Sequence, residues 1–190
     1  MDKLRITGGF LKGRNIPLLK NKSARYTSSK VREAIFNLTG DISGCKILDL
    51  FSGSGSFTFE AVSRGAVFAT CVEKDGDMAA FLQKNLSVLA IDKNCHVLNM
   101  DVIYAIPFLC KTGYNYDIIF MDPPYEKDLI TETMLLLKNN VVYDNGTIFI
   151  LEYSKKEKID LTLWTGLEEI TVRHYGDTNI GIFRIDDRCS

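Results

Sequence analysis

From residue 46 onward, short apolar runs alternate with stretches whose apolar residues recur every three or four positions. Residues 46–51, 68–73, 96–100, 116–121 and 147–152 are the runs, each short and rich in branched or aromatic side chains, and each predicts a buried strand. The intervening segments predict helices over about 56–64, up to about 90, near 102–110 and over about 128–138. In the second of these, Met78, Phe81, Leu82, Leu86 and Leu89 share an inward face. Strands separated by helices imply right-handed βαβ units and a doubly wound α/β sheet, parallel and covered on both faces. The end of the chain breaks the alternation: residues 168–174 and 180–185 predict two strands joined through Tyr175-Gly176-Asp177-Thr178-Asn179, an antiparallel hairpin closing the sheet.

The first 40 residues follow another pattern. Residues 4–16 read as short strands around Gly8-Gly9 and Lys12-Gly13-Arg14, and 17–27 as a polar loop. Ser28 or Ser29 then caps a helix to about Leu38, with Val31, Ala34, Ile35 and Leu38 as its apolar face and Lys30, Arg32 and Glu33 off it. We expect residues 1–40 to form a basic extension and 41–190 the main domain.

Charge sharpens that division. The net charge is −1, but residues 1–40 hold nine basic side chains and two acids, whereas the remaining 150 hold 14 and 22. A basic head on an acidic body suits a polyanionic partner. No apolar run reaches the roughly 18–20 residues that span a bilayer, so we expect a cytoplasmic protein with no membrane partner. Cys45, Cys71, Cys95, Cys110 and Cys189 form no C-x-x-C pair and read as reduced thiols. With only His96 and His174, histidine-based metal or triad chemistry is not expected.

The chemistry concentrates at strand ends. Asp49-Leu50-Phe51-Ser52-Gly53-Ser54-Gly55 forms the first strand-to-helix turn, where glycines let the backbone approach a ligand. Thr58 stands where a dinucleotide fingerprint has its third glycine, and Asp49 would repel a pyrophosphate. The turn therefore suits a cofactor with a cationic end. Glu73, ending the second strand, is placed to accept bonds from two ribose hydroxyls, and Asp101, after the third, to recognise an adenine amine. Ribose, adenine and a cation together describe S-adenosylmethionine. Asp122-Pro123-Pro124-Tyr125 follows the fourth strand. There an acid and a fixed carbonyl can align an exocyclic amine, and a ring can stack on its base.

These residues resemble the bacterial RsmD family, which methylates the N2 amine of a guanine in 16S ribosomal RNA. The resemblance runs through RITGGFLKGR (5–14), KVREAIFNL (30–38), ILDLFSGSGSFTFEAVSRGA (47–66), DIIFMDPPY (117–125) and HYGDTNI (174–180). D-P-P-Y occurs in other amino methyltransferases; the opening and the V-R-E-A helix are more specific to this family. The resemblance implies a class I S-adenosylmethionine-dependent methyltransferase with a seven-stranded sheet and a small N-terminal extension. Its partner would be 16S rRNA in an assembling small subunit, and nothing in the sequence demands more than a monomer.

By position, Asp49, Phe51, Gly53, Gly55, Glu73 and Asp101 would line the donor site, and Asp122, Pro123, Pro124 and Tyr125 the acceptor site. Arg5, Lys12, Arg14, Arg25, Lys30 and Arg32 would meet RNA phosphate. Two departures stand out. Arg25-Tyr26-Thr27-Ser28-Ser29 replaces the family's usual R-P-T-x-D, which bears on the substrate end. Phe57-Thr58 replaces Leu-Gly, which we expect to touch only cofactor-side packing. The rival readings are a DNA adenine-N6 methyltransferase, a NAD-linked oxidoreductase and a non-catalytic RNA-binding assembly factor.

Overall fold

The structure, a computed structural model, describes residues 3–19, 28–124, 128–162 and 164–186. Arg25, Tyr125 and Cys189, the basic Lys20 and Lys22, and most of the expected polar loop lie outside the described residues. The chain divides into two compact units, Met1–Asp101 and Val102–Ser190. The residue 40/41 limit of the expected extension falls inside the first.

The first unit opens with an antiparallel pair, β1 (Lys3–Arg5) and β2 (Asn15–Pro17), in which Leu4 faces Ile16 across the ladder. Leu4, Ile6, Leu11 and Ile16 are buried, while Lys3, Arg5, Lys12 and Arg14 are exposed. This period-two sorting puts the cations on the water side. Helix α1 (Ser29–Thr39) starts at Ser28, whose hydroxyl accepts from the Val31 N–H at 3.2 Å. Its buried residues are Arg32, Ile35 and Phe36, so the inward stripe is rotated from the expected one and includes a cation.

Three strands follow, β3 (Lys46–Asp49), β4 (Phe68–Val72) and β5 (Cys95–Leu98), paired in parallel with Asp49 beside Cys71 and Cys71 beside Val97. Helix α2 (Ser56–Ser63) is buried along its whole length, and α3 (Gly76–Val88) is capped by Asp75, which accepts from the Met78 N–H at 2.9 Å. A single 3-10 turn, Asp92–Asn94, leads into β5.

In the second unit, α4 (Val102–Thr112) precedes β6 (Tyr116–Met121), and α5 (Leu129–Asn139) precedes β7 (Tyr143–Ser154). β6 and β7 are parallel. The chain then turns back as β8 (Leu167–Tyr175) and β9 (Thr178–Ile185), with β9 antiparallel to both β7 and β8. The hairpin is tighter than its sequence suggests. Tyr175 pairs with Thr178, leaving a two-residue turn in which Gly176 has φ 60°. The seven strands form one mixed sheet in the order β5-β4-β3-β6-β7-β9-β8. Among the described residues, Cys45, Cys71, Cys95 and Cys110 are reduced. Among the described residues, no helix is long and apolar enough to cross a membrane.

Candidate active site

The turn after β3 is held together by its own backbone. The Ser52 N–H donates to the Val72 carbonyl at 3.0 Å, the Gly55 N–H to the Ser52 carbonyl at 2.7 Å, and the Ser52 hydroxyl to the Asp49 carbonyl at 2.8 Å. Gly53 and Gly55 both have positive φ, 49° and 77°. They serve different ends. A side chain at Gly55 would collide with Leu82 and approach the Phe59 ring to 2.9 Å, so this glycine lets α3 pack against α2. Around Gly53 the nearest atom is the Phe51 carbonyl at 4.0 Å, and the space stays open for a ligand. Phe51 is half-buried beside it.

Asp49 is buried at the floor of this turn. Its Oδ2 accepts from the Thr58 hydroxyl at 2.8 Å, and Thr58 Oγ1 also lies 3.2 Å from Cys71 Sγ. Its Oδ1 is buried with no close hydrogen-bond partner, and the Ser52 hydroxyl and the Phe51 N–H act on the carboxyl only at longer range. Burial pushes the Asp49 carboxyl up to about 7, against the pull of the Thr58 hydroxyl. The same burial raises the Cys71 thiol well above its ordinary range and Cys95 to about 12, so both are inert at neutral pH. The departure at Thr58 therefore does more than alter packing: its hydroxyl takes one of the two oxygens of the acid expected to meet the cofactor. Phe57, the other departure, stacks on Phe36 of α1 with centroids 5.0 Å apart.

Glu73 follows β4 and is half-buried. Its Oε2 accepts from the Gly53 N–H at 2.9 Å and its Oε1 from the Asp75 N–H at 2.8 Å, which fixes the carboxylate against the glycine turn. Each oxygen retains acceptor capacity for a hydroxyl. Asn99 braces the same segment through a 2.9 Å bond to the Glu73 carbonyl. Asp101, half-buried after β5, has Lys74 Nζ at 3.9 Å. Thus five residues expected at the donor site, Asp49, Gly53, Gly55, Glu73 and Asp101, stand at the ends of three adjacent strands of one unit. Two features suit a ligand with a cationic end: a buried acceptor oxygen on Asp49 without a close partner, and open space at the Gly53 Cα.

In the second unit, Asp122, Pro123 and Pro124 leave the end of β6. Asp122 is half-buried, Pro123 buried and Pro124 exposed. Proline lacks an N–H and fixes its φ, so the strand ladder ends there and the carbonyls are held in place.

The expected RNA-facing cations separate into two groups. Arg5, Lys12, Arg14 and Lys30 are exposed. Arg32 is not, and its assignment to phosphate contact is corrected: the side chain is wholly buried, with Nε 3.3 Å from Glu60 Oε2 and Nη2 donating to the Arg5 carbonyl at 2.7 Å. Glu60 on α2 also accepts from the Thr7 N–H at 2.9 Å, the Thr7 hydroxyl at 2.8 Å and Arg64 Nε at 2.9 Å. Burial alone would raise this carboxyl, but the Thr7 and Arg64 hydrogen bonds and the Arg32 charge bring it below its ordinary value. Burial lowers the Arg32 guanidinium, opposed by the Glu60 charge. Glu60 thus ties Thr7 and Arg32 of the basic extension to α2. Its sequence signal was the one charged residue in the helix Ser56–Ser63.

Residues 4–184 match the family model described as Conserved hypothetical protein 95. A protein of Buchnera aphidicola named ribosomal RNA small subunit methyltransferase D is 38% identical over 162 residues, covering 84% of this chain and 81% of that one. The Escherichia coli protein of the same name is 39% identical over 139 residues, covering 73% and 68%. A solved structure of a putative methyltransferase from Escherichia coli superposes with a TM-score of 0.82 at 30% identity, covering 97% of this chain and 99% of that one.

Proposed function

Because the chain belongs to the ribosomal RNA small subunit methyltransferase D family, we propose that it transfers a methyl group from S-adenosylmethionine to the N2 amine of a guanine in 16S rRNA. The observation that carries the reading is a chain-length family match that includes the strand-end Asp122-Pro123-Pro124 motif. The bound donor supplies an electrophilic methyl carbon on a sulfonium.

The chain's own residues do the rest. The glycine turn admits the donor backbone-close at Gly53. Glu73 accepts from the ribose hydroxyls, and Asp101 from the adenine amine. Asp49 offers Oδ1 to the cationic amino-acid end, where a buried carboxylate acts more strongly than in water. A guanine N2 lone pair is delocalised into the ring and is a weak nucleophile. Hydrogen bonds from N2–H to the Asp122 carboxylate and the Pro123 carbonyl hold it pyramidal and aimed. Asp122 also disperses the positive charge developing on nitrogen and can take its proton. Tyr125 provides a ring for the extruded base. Alignment in a near-attack geometry is worth about 7–11 kcal/mol.

The exposed Arg5, Lys12, Arg14 and Lys30, with Arg25, meet phosphate, which positions the RNA and leaves guanine selection to the Asp122 segment. The RNA is met in the cytoplasm, within an assembling small subunit. The family match favours rRNA over the rival reading as a DNA adenine methyltransferase. Incubation with NAD in place of S-adenosylmethionine tests the oxidoreductase rival: saturable binding of NAD alone would sink the present reading.

A further inference from the structure

Phe10 is 68% exposed, at the start of the turn between Ile6 and Arg14. A single exposed apolar side chain is ordinary on a protein surface. Three observations set this one apart. First, its backbone is pinned. The Phe10 N–H donates to the Ser63 carbonyl at 2.8 Å and the Leu11 N–H to Ser63 Oγ at 2.9 Å, while Ser63 Oγ donates to the Gly8 carbonyl at 2.5 Å. Gly9 has φ 74°, and a Cβ there would run into the Ser63 carbonyl. The turn is therefore seated on the end of α2, and the ring is projected from a fixed base.

Second, the next residue, Leu11, is buried. The turn already has an apolar anchor, and Phe10 is not needed to hold it. Third, the described basic residues of this hairpin, Lys3, Arg5, Lys12 and Arg14, are all exposed. The Lys12 N–H bonds back to the Gly9 carbonyl at 3.1 Å, and Arg5 Nη2 lies 3.9 Å from where a Cβ on Gly13 would be. An exposed aromatic side chain in a hairpin whose cations also face water matches a nucleobase beside its phosphates and is a poor match for an apolar protein groove.

We propose that Phe10 is a stacking platform for an unpaired RNA base near the target guanine, with Arg5, Lys12 and Arg14 holding the adjoining phosphates. This rests on the reading of the protein as an RNA methyltransferase and adds a contact to the base of a second nucleotide. A phenyl ring on a pinned turn loses little side-chain freedom on stacking, and stacking is tolerant of base identity. The platform therefore adds affinity and register without dictating sequence.

The test compares Phe10→Ala, Phe10→Leu and Phe10→Tyr in the full chain, by filter binding to naked 16S rRNA and to undermethylated small subunits. Phe10→Ala and Phe10→Leu should each weaken binding to both RNAs about tenfold, and Phe10→Tyr should bind like the parent. The salt slope of all three should equal the parent's, because no phosphate contact is lost, whereas Arg14→Ala should lower it by about one unit. S-adenosylmethionine affinity and melting temperature should not move.

Unchanged RNA affinity in Phe10→Ala overturns the proposal. So does full rescue by Phe10→Leu, which would mean apolar burial and not stacking. A defect on subunits but not on naked RNA also overturns it and points to a ribosomal protein as occupant. If the parent protein binds no RNA at all, it is the functional reading that fails, which the first lane of the same assay shows.

Discussion

A carboxyl taken out of water without full hydrogen bonding resists ionisation, and Asp49 is in that condition, with one oxygen on Thr58 and the other without a close partner. Its folded value of about 7 stands above the ordinary 3.8. The protein is thus most favoured with Asp49 protonated, and that contribution to stability is full below about 4 and lost as pH rises through about 7. A cationic donor reverses the preference, since it attracts the ionised form. S-adenosylmethionine affinity should therefore climb between pH 6 and 8, with a proton released on binding near pH 7. Calorimetry in buffers of different ionisation enthalpy reads that proton. Asp49→Asn should bind weakly, with no pH slope and no proton release. Asp122 makes the complementary case. Asp122→Ala should lower kcat by about 100-fold or more while donor affinity, read by the same calorimetry, holds. Both acids were visible in the sequence because each breaks an apolar strand end beside glycine or proline. The hold of Thr58 on Asp49 was not, because a hydroxyl nine residues away shows no spacing signature until α2 folds back beside β3.

At the level of elements, Phe68–Val72 and Tyr116–Met121 were legible because a strand buried along nearly its whole length reads as a plain apolar run. β7 was legible only in part. Its first residues, Tyr143-Asp144-Asn145-Gly146, are polar and turn-like, yet Tyr143 pairs with Tyr116 across an irregular register. Arg32 was misread for a clearer reason. Its place at three and four residues before Ile35 and Phe36 puts it on the buried stripe, but a cation is assumed exposed until a partner is known. That partner, Glu60, is 28 residues on. Glu60→Gln would leave Arg32 buried without its charge. We expect a loss of about 3–5 kcal/mol in urea unfolding at pH 7. Because the Glu60 carboxyl is held below its ordinary 4.5, its ionic contribution is present above that value and is lost on acidification. The difference between parent and variant should shrink below about pH 4. Equal stabilities at pH 7 would show that the Glu60 cluster does not anchor the extension.

Across the whole molecule, a net charge of −1 conceals an excess of seven positive charges in the first 40 residues, and the fold exposes Arg5, Lys12, Arg14 and Lys30 while consuming Arg32 internally. With Arg25 these make about five phosphate contacts, so log K for RNA should fall with log salt at a slope of about −4, and a flat dependence would deny the cations this role. The central claim is the transfer itself. The direct measurement is to incubate the protein with methyl-labelled S-adenosylmethionine and, in separate reactions, undermethylated small subunits, naked 16S rRNA and duplex DNA, then digest each to nucleosides. The account predicts label in the subunit RNA, recovered as N2-methylguanosine, and none in DNA. Label in DNA alone, label on another base, or no label in any substrate would contradict it.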